Sequence, residues 1–324
     1  MKINTVHHMN FLNNTLPDKC ANLIIADPPY YKVKGEFDFI WKNFDDYLID
    51  VEKWALECKR LLADNGTLFW WGHANKIAYS QVIIDKYFKL LSSIVWEKKE
   101  CPSLQTQISA LRTFAPITER ILMYSNEINK TGLEQIKHDV NNFKPLRDYF
   151  EYLQKEIKLT IKKINDKLGH RKAEHSFYWN STQWNMPTEN TYNQLIKTFN
   201  IDVLKEFKEY EELRSEYEEL RSEYEELRRP FENIHKVGDV IRLPNYETSN
   251  QDHDTIKPEK LTRILITTCS RKNDIIVIPF AGSGTECAMA AYENRNFYGT
   301  EINKKYVDIS NDRVKQHKAQ LKIL

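Results

Sequence analysis

The chain has 324 residues, 41% of them hydrophobic and 29% charged, which is the make-up of a globular protein long enough for one large α/β domain and an insertion. No apolar run approaches the roughly 20 residues of a bilayer-spanning helix, and five dispersed cysteines (Cys20, Cys58, Cys101, Cys269, Cys287) without Cys-x-x-Cys spacing argue against a disulfide framework and a zinc site. The net charge of +1 conceals an imbalance: residues 202–232 hold 12 acidic and 6 basic side chains, a local −6 that leaves +7 elsewhere, enough for a basic face toward phosphates. Met1 to Phe11 lacks an apolar core and a small-residue cleavage site, so a cytoplasmic location with no membrane role is expected.

Residues 1–126 alternate in the manner of a βαβ protein. An apolar strand is expected at Ala21 to Ala26, a helix at Tyr47 to Leu62, a strand at Thr67 to Trp71 and a helix near Lys76 to Phe88. Strands near Leu90 to Trp96 and Arg120 to Tyr124 follow. Residues 252–324 resume the pattern with a helix at Glu259 to Ser270, a strand at Ile275 to Ile278, a helix at Gly284 to Asn294, a strand at Phe297 to Thr300 and a helix from Lys304 onward. Such alternation predicts an α/β fold with a doubly wound, largely parallel sheet.

Between these halves, residues 127–251 turn polar and the strand-like runs stop, which marks an inserted, mostly helical module. It contains a tandem repeat, EYEELRS from Glu209, again from Glu216, then EYEELRR from Glu223. Tyr210, Leu213, Tyr217, Leu220, Tyr224 and Leu227 recur at spacings of three and four, so residues 202–229 read as a long amphipathic helix stopped by Pro230. That stripe either packs on the body of the protein or forms a short coiled-coil seam with a second copy.

Three segments can carry chemistry. Asp27-Pro28-Pro29-Tyr30 directly follows the strand 21–26, where open sheets bind ligands; its prolines fix two carbonyls and Tyr30 offers an aromatic face, although the tetrapeptide can also be a plain turn. Pro279-Phe280-Ala281-Gly282-Ser283-Gly284-Thr285 follows the strand 275–278 and opens a helix, so its glycines admit a ligand close to backbone N–H groups. No Lys follows the second glycine, which excludes a phosphate-gripping P-loop. Glu301 ends the next strand, where an acidic residue either accepts hydrogen bonds from ribose hydroxyls or serves only the dipole of the following helix. His253-Asp254-Thr255-Ile256-Lys257-Pro258 precedes the helix at 259, with Thr255 readable as an N-cap and Pro258 as a first-turn proline.

Taken together and in this order, the three segments resemble the β-class amino-group DNA methyltransferases, in which the catalytic motif precedes the cofactor motif. The resemblance covers both halves and implies a Rossmann-like methyltransferase sheet split by a target-recognition insertion. It implies S-adenosylmethionine as cofactor, held by Pro279, Phe280, Ala281, Gly282, Ser283, Gly284, Thr285 and Glu301, with Thr255 and Lys257 lining its methionine end. Asp27 and the Pro28 carbonyl, with Pro29 fixing the turn, would bind the target amino group while Tyr30 stacks on the flipped base. Positioning then does much of the catalysis and no metal is needed. Two positions depart from the family pattern: Ile278 stands where an Asp usually precedes Pro-Phe, leaving Glu301 or Glu286 to supply the acidic contact, and Asn10 stands where an Asp usually meets the adenosyl group.

None of the five cysteines follows a proline, which argues against a C5-cytosine methyltransferase and its cysteine nucleophile. By resemblance, Asp27 favours N6 of adenine. N4 of cytosine is the alternative, and a catalytically weak DNA-binding protein on the same fold a third. Double-stranded DNA is the expected partner, with a cognate restriction enzyme and a second copy of the chain as further implied partners. Within the insertion, Asn180 and Gln183 can read adenine edges and Lys162, Lys163, Lys167, Arg171 and Lys172 can hold phosphates, or else Phe177, Trp179 and Trp184 are simply a small core beside a solvated basic helix.

Overall fold

A computed structural model describes residues 2–33, 36–98, 114, 117–126, 142–244 and 257–321. Two compact units divide the chain: Met1–Asn129 together with Arg229–Leu324, and Lys130–Arg228. The helical unit thus closes at 228 rather than 251.

In the larger unit the strands are β1 (Thr5–His8), β2 (Ala21–Ala26), β3 (Leu62–His73), β4 (Lys89–Lys98), β5 (Thr118–Ser125), β6 (Val240–Leu243), β7 (Ile275–Ile278) and β8 (Asn296–Glu301). They form one sheet in the order β1-β8-β7-β2-β3-β5-β4-β6. Pairing is parallel from β1 through β3 and again between β4 and β6, whereas β5 runs antiparallel to both β3 and β4. Both faces are covered, as the unbroken apolar runs of β2 and β3 require. Leu23, Ile25, Phe69 and Trp71 pack on one side with α7 (Glu259–Cys269), α8 (Thr285–Tyr292) and α9 (Lys304–Leu321); Ile24, Ala26, Leu68 and Trp70 pack on the other with α1 (Phe44–Leu61) and α2 (Ile77–Ile84). Asn43 caps α1 by accepting from Asp46 N at 2.8 Å, and Asp45 and Asp46 at its start and Lys59 and Arg60 at its end suit the helix dipole.

Two strands were not foreseen. β1 buries only Val6 among its four residues, and β6 alternates exposed and buried. Each is a short sheet edge with too little apolar surface to stand out in sequence. Val240–Leu243 therefore joins the sheet beside β4 instead of the insertion, where the composition had placed it.

The smaller unit holds α3 (Lys144–Ile157), α4 (Ile161–Leu168), α5 (Glu189–Phe199) and α6 (Tyr210–Leu227) around Leu146, Phe150, Phe177, Tyr192, Leu195 and Leu213. The repeat helix is shorter than its pattern, because residues 201–203 form a separate 3₁₀ turn. Its stripe packs within this unit: Leu213 is fully buried, Tyr217 stacks on Phe143 at 5.1 Å, and the Tyr224 hydroxyl accepts from Phe143 N at 3.0 Å. Only Leu227, 50% exposed at the last turn, is left out. The stripe up to Tyr224 is therefore taken up by the core of the inserted module itself.

Candidate active site

β8, β7 and β2 are adjacent and parallel, so their carboxyl ends share one edge of the sheet. Glu301 is the last residue of β8, the turn from Pro279 follows β7, and Asp27 follows β2. From β2 the chain continues to β3 on one side, while β7 lies on the other, which is the switch-point geometry where open sheets bind ligands. The structure therefore brings together two motifs some 250 residues apart in sequence.

At Asp27 four charged groups converge. The Tyr30 hydroxyl donates to Asp27 Oδ1 at 2.5 Å, and Lys257 Nζ lies 3.2 Å from Asp27 Oδ2 and 2.8 Å from Glu119 Oε2. Lys98 Nζ meets the other Glu119 oxygen at 2.7 Å. Lys257 also sits over the Trp71 ring at 4.6 Å and donates to the Tyr30 hydroxyl at 3.2 Å. Burial raises the Asp27 carboxyl above its ordinary value despite Lys257 and the Tyr30 hydroxyl, which pull it down. Burial would raise Glu119 too, but Lys257 and Lys98 outweigh it and hold that carboxyl at about 2. Asp38, itself buried, accepts from Tyr30 N at 2.5 Å and fixes the loop after the two prolines.

The glycine turn is braced from three sides. Gly282 N donates to Glu301 Oε2 at 3.0 Å, Ser310 Oγ to Gly282 O at 2.7 Å, and Arg313 reaches Ser283 Oγ and Thr285 Oγ1 at 3.2 and 2.7 Å. Glu301 also accepts from Asn303 N at 2.8 Å, yet each carboxylate oxygen keeps a lone pair for a ligand hydroxyl. Phe280 packs edge-on against Trp54 at 5.0 Å. Gly284 has φ +79°, and a Cβ there would lie 2.6 Å from Ser310 Cβ and 2.7 Å from Ser310 Cα. Gly284→Ala combines left-handed strain with that overlap, so it should cost about 2–4 kcal/mol of stability. Thermal melts should show a fall in Tm, with S-adenosylmethionine binding weakened in whatever protein folds.

Glu286, in the first turn of α8, is 6% exposed, and its Oε1 is buried without a hydrogen-bond partner among the described residues. Burial, with the charge of Asp27 second, pushes its carboxyl up to about 7, against Lys257 and Arg313. An orphaned acceptor of this kind is costly unless a ligand donor completes it.

Asn10 follows β1, whose His8 pairs with Glu301, and so reaches the same edge; its side-chain carbonyl already accepts from Leu12 N at 2.9 Å. Lys257, expected along the cofactor, directs its ammonium at Asp27 and Glu119. Thr255, with His253 and Asp254, lies outside the described residues. Sequence reading missed Glu119, Lys98, Asp38 and Arg313. A lone carboxylate opening the apolar strand 118–125 was the available signal for Glu119; the others have none.

In the smaller unit Phe177, Trp184 and the half-buried Trp179 belong to the core, and the Trp179 and Ser181 carbonyls each accept from Arg147 at 2.9 Å. Asn180, Gln183, Lys162, Lys163, Lys167, Arg171 and Lys172 are all exposed. The aromatic residues of that stretch thus form a small core, and the polar and basic side chains beside it face solvent.

A family model described as DNA methylase (N6_N4_Mtase) matches residues 21–312. The orphan methyltransferase M.BamHII of Bacillus amyloliquefaciens is 45% identical over 82 residues, a match spanning 24% of this chain and only 31% of that protein. The DNA adenine methyltransferase YhdJ of Escherichia coli (strain K12) is 24% identical over 297 residues, 90% of this chain and 75% of that one. Among solved structures, PvuII DNA methyltransferase, described as cytosine-N4-specific, is similar in fold with a TM-score of 0.52 at 12% identity, covering 98% of this chain and 93% of that one.

Proposed function

Because this chain belongs to the N6/N4 DNA methylase family, the amino-group DNA methyltransferases, we propose that it methylates N6 of an adenine within a specific site of double-stranded DNA. The observation that supports this best is the placement of Asp27 and the 279–285 turn on adjacent strand ends, so that an acceptor for an amino group stands beside a turn built for a cofactor. S-adenosylmethionine is the cofactor of the family and supplies an electrophilic methyl on a sulfonium.

The residues present fit that group. Glu301 offers lone pairs to ribose hydroxyls, and the orphaned Glu286 oxygen offers a site for the ammonium of the amino-acid end, in place of the carboxylate that Ile278 lacks. Asp27 and the Pro28 carbonyl accept hydrogens from the target amino group, which keeps the nitrogen lone pair directed at the methyl and offsets the positive charge growing on nitrogen. Tyr30 supplies a face for the target base, which must leave the helix stack to reach a strand end. Asn180, Gln183 and the exposed lysines and arginines of the smaller unit read and hold the DNA.

Adenine is favoured by Asp27, since resemblance associates Ser with cytosine at that position. Incubation with unmethylated DNA and labelled cofactor, followed by digestion to nucleosides, should give label in N6-methyladenine. Label in N4-methylcytosine would reassign the base and leave the rest of the reading standing.

A further inference from the structure

The four charges at the sheet edge alternate in sign, and they come from four separate segments. Asp27 follows β2, Lys257 precedes α7, Glu119 is the second residue of β5 and Lys98 ends β4. The antiparallel turn of the sheet is what makes this possible: reversing β5 sets Glu119 opposite both His73 at the end of β3 and Trp96 near the end of β4. Lys257 is only 5% exposed, and its three donors are taken by Asp27 at 3.2 Å, Glu119 at 2.8 Å and the Tyr30 hydroxyl at 3.2 Å. An ammonium buried against Asp27 alone would neutralise the one carboxylate that must offset charge on the reacting nitrogen. Glu119, nearer to the ammonium than Asp27 is, prevents that.

We propose that Glu119 is a positioning residue for methyl transfer: it fixes Lys257 and shares its charge, so that the negative charge of Asp27 is not wholly compensated by the ammonium and its carboxylate stays open to the target amino group. Lys98 in turn compensates Glu119, which lets the carboxylate remain charged away from bulk water. The inference rests on the methyl-transfer reading above.

The test is the pH dependence of kcat, with KM for duplex DNA and the S-adenosylmethionine Kd from calorimetry, in the full chain and in Glu119→Gln, Lys257→Met and Lys98→Met. The groups facing Asp27 and its partners are Tyr30, Tyr47, His73, Glu119, Lys257, Lys98 and Glu286. Glu119→Gln should lower kcat by about 10- to 100-fold with KM and Kd within about threefold, because the loss falls on the reacting step. Its acid limb should move to lower pH, since Lys257 then serves Asp27 alone. In Lys257→Met the limb should move to higher pH, and in Lys98→Met it should move the same way by less. Limbs that stay in place, or that move in one direction for both Glu119→Gln and Lys257→Met, overturn the proposal. If Glu119→Gln fails to fold, the order of the two lysine variants still decides: an equal or reversed order overturns it. Absence of transfer by the wild type overturns the methyl-transfer reading itself, whereas wild-type transfer with unmoved limbs overturns only the role of Glu119.

Discussion

Asp27→Ala is expected to lower the methyl-transfer rate by roughly 10²–10³-fold, the usual effect of removing one preorganised group that stabilises developing charge. The substitution deletes the acceptor at the end of β2 without opening the core, since Asp27 follows the buried strand and its side chain is 21% exposed. Lys257 keeps its 2.8 Å pair with Glu119, so the variant should fold. The loss should appear equally in kcat and kcat/KM, with the S-adenosylmethionine Kd within about threefold, because the interaction strengthens only as charge grows on the nitrogen. Asp27→Asn separates the two contributions: its carbonyl still accepts a hydrogen but carries no charge, so most of the loss should remain. Stopped-time assays with labelled cofactor at saturating DNA measure this directly.

Glu286→Gln should make the protein more stable and bind cofactor less well. The ordinary glutamate value is 4.5, and burial moves Glu286 in the folded chain to about 7. The folded state therefore favours the protonated form. Below pH 4.5 the group is protonated in both states and contributes nothing. As pH rises from 4.5 to 7 the unfolded chain ionises first and stability falls, levelling off above 7 with a loss on the order of 3 kcal/mol. A glutamine there removes that loss, so Tm at pH 8 should rise and its decline between pH 4.5 and 7 should flatten. An ammonium ligand needs the carboxylate form. Wild-type affinity for S-adenosylmethionine should accordingly increase roughly five- to tenfold from pH 6 to 7.5, while the variant binds more weakly with little pH dependence. Calorimetric titrations at several pH values and matched melts distinguish these outcomes from a purely structural glutamate, whose loss would leave affinity unchanged.

Much of the sheet was legible because its inner strands must be apolar on both faces. Ala21–Ala26 and Ile275–Ile278 fall at the bounds their composition suggested, and the helices around them are bounded by caps and by the glycine turn. The strands that escaped are edges, with β1 offering a single buried valine and β6 two buried residues in four. The antiparallel course of β5 was equally hidden, since periodicity reports which faces are buried and not which way a strand runs. That reversal is what carries Glu119 to the site, so the residue that pairs with Lys257 could not be read from spacing. The two motifs, by contrast, were visible because each directly follows an apolar strand and because they occur together in one order, although either alone could be a plain turn. Their meeting on adjacent strands is a property of the topology alone.

The most direct test of the account is a single-turnover assay of labelled methyl transfer to unmethylated duplex DNA, comparing the wild type with Asp27→Asn at cofactor concentrations that saturate both. The wild type should place label in an exocyclic-nitrogen methyl nucleoside and the variant almost none, with both proteins holding the cofactor. Equal transfer by the variant, or none by a wild type that binds both cofactor and DNA, would contradict it.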